Sequence, residues 1–178
     1  FFAKYDANGN FLWVKLLNVA NSTNANFNKP NVIAVDSNLN IYVGGQFQSQ
    51  MDIDPGAATV NIVNPNGVSC NCTVGFYAKY DSNGSLVWYQ IDGNNAAVSS
   101  IDVHNPSGNI LIGGRPSAFS GNQLRLVNSA GNSLYVLSGG SNLYVNSVKF
   151  NPAGDIYFSG TYASGGNDFD WGAGSFIM

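Results

Sequence analysis

Two acidic loops hold the residues whose type and spacing best suit metal binding. Asp52 and Asp54 are followed by Pro and Gly, and Asp168 and Asp170 stand in a matching loop near the end of the chain. Hard cations such as Ca²⁺ take about six to eight oxygen ligands. Each loop lacks the third acidic or amide ligand and the later Glu of an EF-hand loop. Two interpretations therefore remain: a calcium site with these four Asp residues as ligands, or turns whose backbone amides bond to the Asp side chains.

The two cysteines, Cys70 and Cys72, are separated by a single residue. Zinc sites usually combine C-x₂-C pairs with further Cys or His ligands, and His104 is the one histidine of the sequence. The spacing therefore favours a disulfide, either a local one or bonds to cysteines outside the chain. His104 has no G-x-S-x-G motif near it, so we expect a packed or rim histidine and no catalytic triad.

One aromatic residue stands apart from the others as a candidate ligand contact. Trp171 occupies the place that Pro55 has in the other acidic loop. An exposed Trp beside Asp and Asn is the kind of residue that a carbohydrate site uses. The remaining aromatics of the repeats are expected to lie in the core between repeats: Trp13, Trp88 and Tyr135 at one repeated position, Tyr42 and Tyr157 at another.

The composition predicts an all-β fold with many tight turns. All ten acidic residues are Asp, while Asn contributes 26 residues and Gly 21 of 178. Asn, Gly, Ser and Asp favour turns, and the usual helix-surface residues are scarce. The net charge of −3 argues against a nucleic-acid surface. No run of about 18 apolar residues is present, so no transmembrane segment is predicted.

Two types of β-hairpin alternate along the chain. The first type, A-K-Y-D-x-N-G, begins at Ala3 and Ala78 and has a degenerate copy from Val127. The second type begins at Val35, His104 and Phe150 and continues with an Asn-rich or Pro-x-Gly turn into an apolar run. Asn-Gly and Pro-x-Gly supply the backbone angles of tight turns. Each copy therefore predicts a strand, a turn and a second strand.

Two hairpins in series predict a four-stranded meander, with strands A and B from the second type and C and D from the first. The predicted division of residues 1–178 is strands C-D at 1–18, a full unit at 31–92, a full unit at 99–138, and strands A-B with a tail at 143–178. The first full unit carries an insertion at 48–74. Four short strands repeating every 40–50 residues or so are typical of β-propeller blades.

The motifs F-x-A-K-Y-D-x-N-G-N-x-x-W, I-A-V-D-x-x-x-N-I-Y-V-x-G-x-F and D-x-D-P-G resemble the SBBP β-propeller repeats. The resemblance covers nearly all of the chain and is weakest at about 115–143. It implies a secreted or cell-surface protein of the Bacteroidetes, of the kind exported by type IX secretion. Repeats of this family are scaffolds, so the resemblance implies no particular activity.

We therefore expect a non-enzymatic extracellular or cell-surface scaffold of the adhesion type, which binds a protein or glycan partner and needs no cofactor apart from the calcium considered above. A carbohydrate-binding propeller module is the alternative, and a hydrolase is the third hypothesis. With no Glu, paired-carboxylate glycosidase chemistry would depend on Asp alone.

The sequence also predicts that the chain is part of a longer propeller. Its predicted units begin with strands C-D and end with A-B, which would close into only three blades, whereas propellers have about four to eight. Further blades of the same longer chain are then the expected partners of both ends. In isolation, we expect the chain to associate through its exposed strand edges.

Overall fold

A computed structural model describes residues 1–17, 28–93, 95–116, 124–137 and 143–162. These ranges hold fourteen strands and no helix, so no membrane-spanning helix occurs among them. The strands are β1 (Phe2–Tyr5), β2 (Phe11–Lys15), β3 (Lys29–Val35), β4 (Ile41–Phe47), β5 (Gln50–Asp52), β6 (Asn61–Val63), β7 (Val74–Tyr80), β8 (Leu86–Asp92), β9 (Asn95–His104), β10 (Asn109–Pro116), β11 (Leu124–Val127), β12 (Ser133–Leu137), β13 (Leu143–Phe150) and β14 (Ile156–Tyr162).

The strands form antiparallel sheets whose order follows the chain. Sheet I is β1-β2, sheet II is β3-β4-β7-β8, sheet III is β9-β10-β11-β12 and sheet IV is β13-β14. The short hairpin β5-β6 forms a separate two-stranded sheet in the segment of chain that connects β4 to β7. The predicted all-β fold with four-stranded antiparallel sheets is confirmed. No closed propeller is present among the described residues, so the propeller arrangement stays a prediction.

The turns explain why the chain is so rich in Asn and Asp. In the β3-β4 turn, Asp36 Oδ1 accepts hydrogen bonds from the backbone amides of Asn38 and Asn40 at 2.9 and 2.8 Å. In the β11-β12 turn, Asn128 makes the same pair of bonds with the amides two and four residues later. The side-chain oxygen thus replaces the hydrogen bonds that a tight turn leaves open. Because the geometry needs only one oxygen, Asp and Asn serve equally.

The sheets pack face to face, and their alternating side chains form one core cluster in each gap. In β4, Val43 faces sheet I while Tyr42 faces sheet III. In β10, Ile112 faces sheet II while Leu111 faces sheet IV. Both faces of β4 and β10 are buried, since successive side chains of a strand point to opposite sides. These strands therefore read as continuous apolar runs.

Glycines allow the closest approach between neighbouring sheets. A Cβ atom on Gly44 of β4 would lie 2.6 Å from Val98 Cγ1 of sheet III. A Cβ atom on Gly113, at the same position of β10, would lie 2.7 Å from Val145 Cγ1 of sheet IV. Real Cβ atoms do not approach carbon atoms so closely, because packed interiors keep van der Waals distances. The two equivalent glycines therefore set the spacing of the stack.

β-Bulges in the first strand of each full sheet form a second link between sheets. The register shifts at Asn31 in β3 and at Ser99 in β9. The Asn31 amide donates to the Val98 carbonyl oxygen of sheet III at 3.5 Å, and the Ser99 hydroxyl donates to the Val145 carbonyl oxygen of sheet IV. A bulge changes the direction of a side chain, and here it directs the polar side chains of Asn31 and Ser99 toward the next sheet.

Aromatic residues of the repeats are core only where a following sheet covers them. Trp88 packs against Tyr42 and donates from Nε1 to the Ser129 carbonyl oxygen of sheet III at 3.1 Å. Tyr135 and Tyr157 stand at the matching positions of sheets III and IV but are 61% and 59% exposed. The prediction that every such aromatic is core is wrong for these two.

We expect Gly44→Ala to destabilise the protein by about 1–3 kcal/mol, the usual cost of overpacking a core. Gly75→Ala in β7 is the matched control, because its Cβ would approach the same Val98 side chain at an ordinary 3.4 Å. Urea denaturation followed by tryptophan fluorescence measures both. Equal stabilities of the two variants would show that Gly44 does not set the sheet spacing.

Leu39 is the one non-glycine residue with a positive φ in the described ranges, at 63°. Equivalent turns place Gly there, for example Gly9 and Gly84. A left-handed conformation costs an L-residue roughly 1–2 kcal/mol. We expect Leu39→Gly to raise the free energy of unfolding by about 1 kcal/mol after its modest contacts are lost. Leu39→Ala keeps the strained angle and should give no gain; a gain from Ala equal to that from Gly would contradict this explanation.

Candidate functional site

The two ends of the stacked sheets differ in construction. At one end lie the tight turns β3-β4, β7-β8, β9-β10 and β11-β12. At the other end β4 is followed by the long insertion, and β3 and β9 begin beside a polar recess. The second end therefore holds the groups that the turns do not use, and the candidate site lies there.

At the turn end, polar groups mostly bind one another. Tyr42 donates from its hydroxyl to Asp36 Oδ2 at 3.1 Å. Burial, then the charge of Asp36, raises the pKa of Tyr42 above its ordinary value. Burial acts to raise the pKa of Asp36, but the hydrogen bonds from Asn40 and Tyr42 outweigh it, and the pKa lies below its usual value. These groups stabilise the turn with their hydrogen bonds and have little remaining hydrogen-bonding capacity for a ligand.

His104 also belongs to the turn end. Its Nε2 lies 3.3 Å from the Pro152 carbonyl oxygen, which can only accept, and its Nδ1 lies 2.8 Å from Ser107 Oγ. The ring packs against Phe150 of sheet IV in a tilted arrangement, with the ring centroids 5.3 Å apart. This half-buried histidine therefore joins the turns of sheets III and IV, and no Asp or Cys contacts its ring nitrogens among the described residues.

The insertion between β4 and β7 is tied together by buried polar side chains and contains a local disulfide. Gln48 Nε2 donates to Asn71 Oδ1 at 2.9 Å, and Asn64 Nδ2 donates to the Gln48 and Cys72 carbonyl oxygens. Cys70 and Cys72 are bonded to each other, with sulfur atoms 1.99 Å apart. The loop that leads back to β7 is thus held at several points along its length.

Apolar residues of the insertion extend the core of sheets I and II. Met51, Ile53 and Ile62 are fully buried in the cluster between those sheets. The Tyr80 hydroxyl of β7 donates to the Ile53 carbonyl oxygen at 2.9 Å. Burial, then the charges of Asp54 and Asp52, raises the pKa of Tyr80. The insertion is therefore an integral part of the fold. Sequence reasoning missed its hairpin because strands of three residues leave little periodicity.

The acidic loop at Asp52 and Asp54 is built on backbone hydrogen bonds. Asp52 Oδ1 accepts from the amides of Asp54 and Val60 at 3.1 and 2.9 Å, and Asp54 Oδ1 accepts from the Gly56 amide at 2.8 Å. In the described ranges no three His, Cys, Asp or Glu residues come together as a metal site. Asp168, Asp170 and Trp171 lie outside the described residues.

A buried ion pair, which the sequence did not reveal, joins sheets II and III. Arg125 of β11 lies 3.3 Å from Asp92 of β8, and the Asp92 side chain is almost fully buried. Tyr77 lies near both groups. Burial raises its pKa to about 12; the Arg125 charge opposes this and the Asp92 charge adds to it. Removing one partner of such a pair leaves an uncompensated buried charge, so packing of the two sheets requires both residues.

A polar recess of about 340 Å³ opens between sheets II and III at the insertion end. Three positions of the repeat line the recess, and each sheet contributes one residue at each position. They are the bulge residue and the two residues of the cross-strand pair beside it. The lining residues are Asn31, Lys29 and Gln46 from sheet II and Ser99, Ala97 and Arg115 from sheet III. Sequence reasoning did not find the recess, because these residues are far apart in the chain and each is ordinary by itself.

The chain matches no protein-family model, no curated protein and no solved structure. The resemblance to SBBP repeats therefore stays a prediction that depends on the motifs themselves.

If the acidic loop is a turn without metal, Asp52→Asn should leave the melting temperature nearly unchanged, since the amide oxygen still accepts both bonds. Asp52→Ala should cost about 1–2 kcal/mol for two lost hydrogen bonds. Adding EDTA should not shift the melting curve of the unaltered protein. A calcium-dependent rise in melting temperature that is lost in Asp52→Asn would instead establish Asp52 as a ligand.

Proposed function

We propose that the chain is a non-enzymatic β-propeller scaffold, extracellular or on the cell surface, that binds a partner surface through its insertion end. The observation that carries this proposal is the insertion itself, which is held by buried polar and apolar side chains and contains a local disulfide, while Val63 and Val68 are 47% and 53% exposed. A firmly held loop that presents apolar side chains suits binding, because little conformational entropy is lost when a partner docks.

The repeat design supports the same proposal. Stacked sheets fix the framework, so sequence can vary in the loops of one end without loss of the core. Binding residues are often placed on loops that a rigid scaffold positions. The resemblance to SBBP repeats, which occur in secreted and cell-surface proteins, supports the proposed extracellular or cell-surface location.

A carbohydrate-binding module is the second candidate, favoured by the polar recess. Amide and hydroxyl side chains such as Asn31, Gln46 and Ser99 provide the donors and acceptors that sugar hydroxyls need. The recess lies at the lower end of the about 300–1,000 Å³ typical of small-molecule sites.

Binding of the fluorescently labelled chain to intact bacterial cells tests the scaffold proposal. We expect saturable binding that Val68→Asp weakens at least tenfold, because a carboxylate would disrupt an apolar contact. Val87→Asp on β8, where Val87 is 54% exposed, is the matched control and should bind normally. Absence of saturable binding, or equal loss in both variants, would contradict the proposal. Binding that survives protease but not periodate treatment of the cells would favour the carbohydrate candidate.

A further inference from the structure

We propose that the polar recess between sheets II and III binds an acidic sugar unit, a hydroxylated ring that carries one carboxylate or sulfate group. The inference rests on the proposed function as a surface-binding scaffold and adds the chemical class of a ligand. It depends on two cations, Lys29 of β3 and Arg115 of β10, that line the recess together.

The first argument is that the rest of the protein's cations are already engaged. The sequence has seven Lys and Arg residues, and five contact other groups of the protein. These five are Lys4 with the Ser82 carbonyl oxygen, Lys15 over Trp13, Lys79 over Tyr42, Arg125 with Asp92, and Lys149 with Asp102. Across the part of the chain that the structure describes, the side chains of Lys29 and Arg115 have no such partner.

The second argument is that, among the residues that the structure describes, no acid lines the recess with the two cations. In a chain of net charge −3, cations placed at random would meet one of ten Asp residues more often than each other. The overall charge of the protein weakly repels anions at long range, but salt screens this beyond about 8 Å. An anion that enters the recess therefore meets a locally positive site.

The third argument concerns the neutral groups of the recess. Asn31 and Ser99 occupy bulges, and each already donates a hydrogen bond to the next sheet, so their positions are fixed. Gln46 faces Lys29 across β3 and β4. Oxygen atoms of these side chains can accept from sugar hydroxyls, while the guanidinium of Arg115 can hold a carboxylate through two parallel bonds. Of the described lining residues Ala97 alone is apolar, so the recess offers little to an apolar peptide side chain.

The test measures binding of galacturonate, galactose 6-sulfate and neutral galactose to the full chain by calorimetry. We expect at least one acidic sugar to bind at least tenfold more tightly than galactose, and the better of the two identifies the anionic group. Arg115→Gln or Lys29→Gln should weaken this binding at least tenfold.

Lys149→Gln is the matched control, because it removes one positive charge from an exposed position outside the recess. Equal loss of binding in Lys149→Gln and Arg115→Gln would overturn the proposal, since charge alone would then explain it. Failure of both acidic sugars to bind, or equally tight binding of a short poly-aspartate peptide, would also overturn it. Cell binding that persists in Arg115→Gln while the sugars fail would leave the proposed function intact and remove only this inference.

Discussion

The close approach of neighbouring sheets at Gly44 and Gly113 is the constraint on which the rest of the structure depends. At each glycine the side chains of the next sheet fill the space that a Cβ would need, Val98 in one gap and Val145 in the other. Only at this spacing can the bulge residues Asn31 and Ser99 reach carbonyl oxygens of the next sheet. These hydrogen bonds then hold the sheets at the distance that the glycines permit. The close packing at the glycines and the hydrogen bonds of the bulges therefore depend on each other.

Because these contacts repeat from sheet to sheet, the turn end and the insertion end of the stacked sheets can have different roles. At the turn end, Asx side chains and Tyr42 satisfy the polar groups of each hairpin, so this end maintains the framework. At the insertion end, the same first-strand bulges leave a recess between sheets II and III, and the segment after β4 folds into a hairpin of its own. The repeated contacts between sheets stabilise the framework, so the sequence of the insertion end can vary without loss of the fold. For this reason we place the function at the insertion end.

The hairpins could be predicted because their signals are local. Each turn combines an Asp or Asn with a Gly or Pro at fixed spacing, and hydrogen bonds within four or five residues are enough to form it. The apolar runs of β4 and β10 likewise predicted strands, whereas the burial of both faces became visible only in the packed sheets. The insertion hairpin could not be predicted, because Met51 and Ile62 become core residues only when sheets I and II are present to cover them.

By itself, the sequence determined the type of fold: all β, with hairpins that pair into four-stranded antiparallel sheets and glycines at the same step of each second strand. The tertiary structure alone decided which residues meet across the sheets. Asp92 and Arg125 pair, and Lys29 and Arg115 share a recess, although 33 and 86 positions separate them in the sequence. The physical reason is that turns and strand periodicity are short-range properties of the backbone, whereas a charge pair or a recess exists only after the sheets have packed.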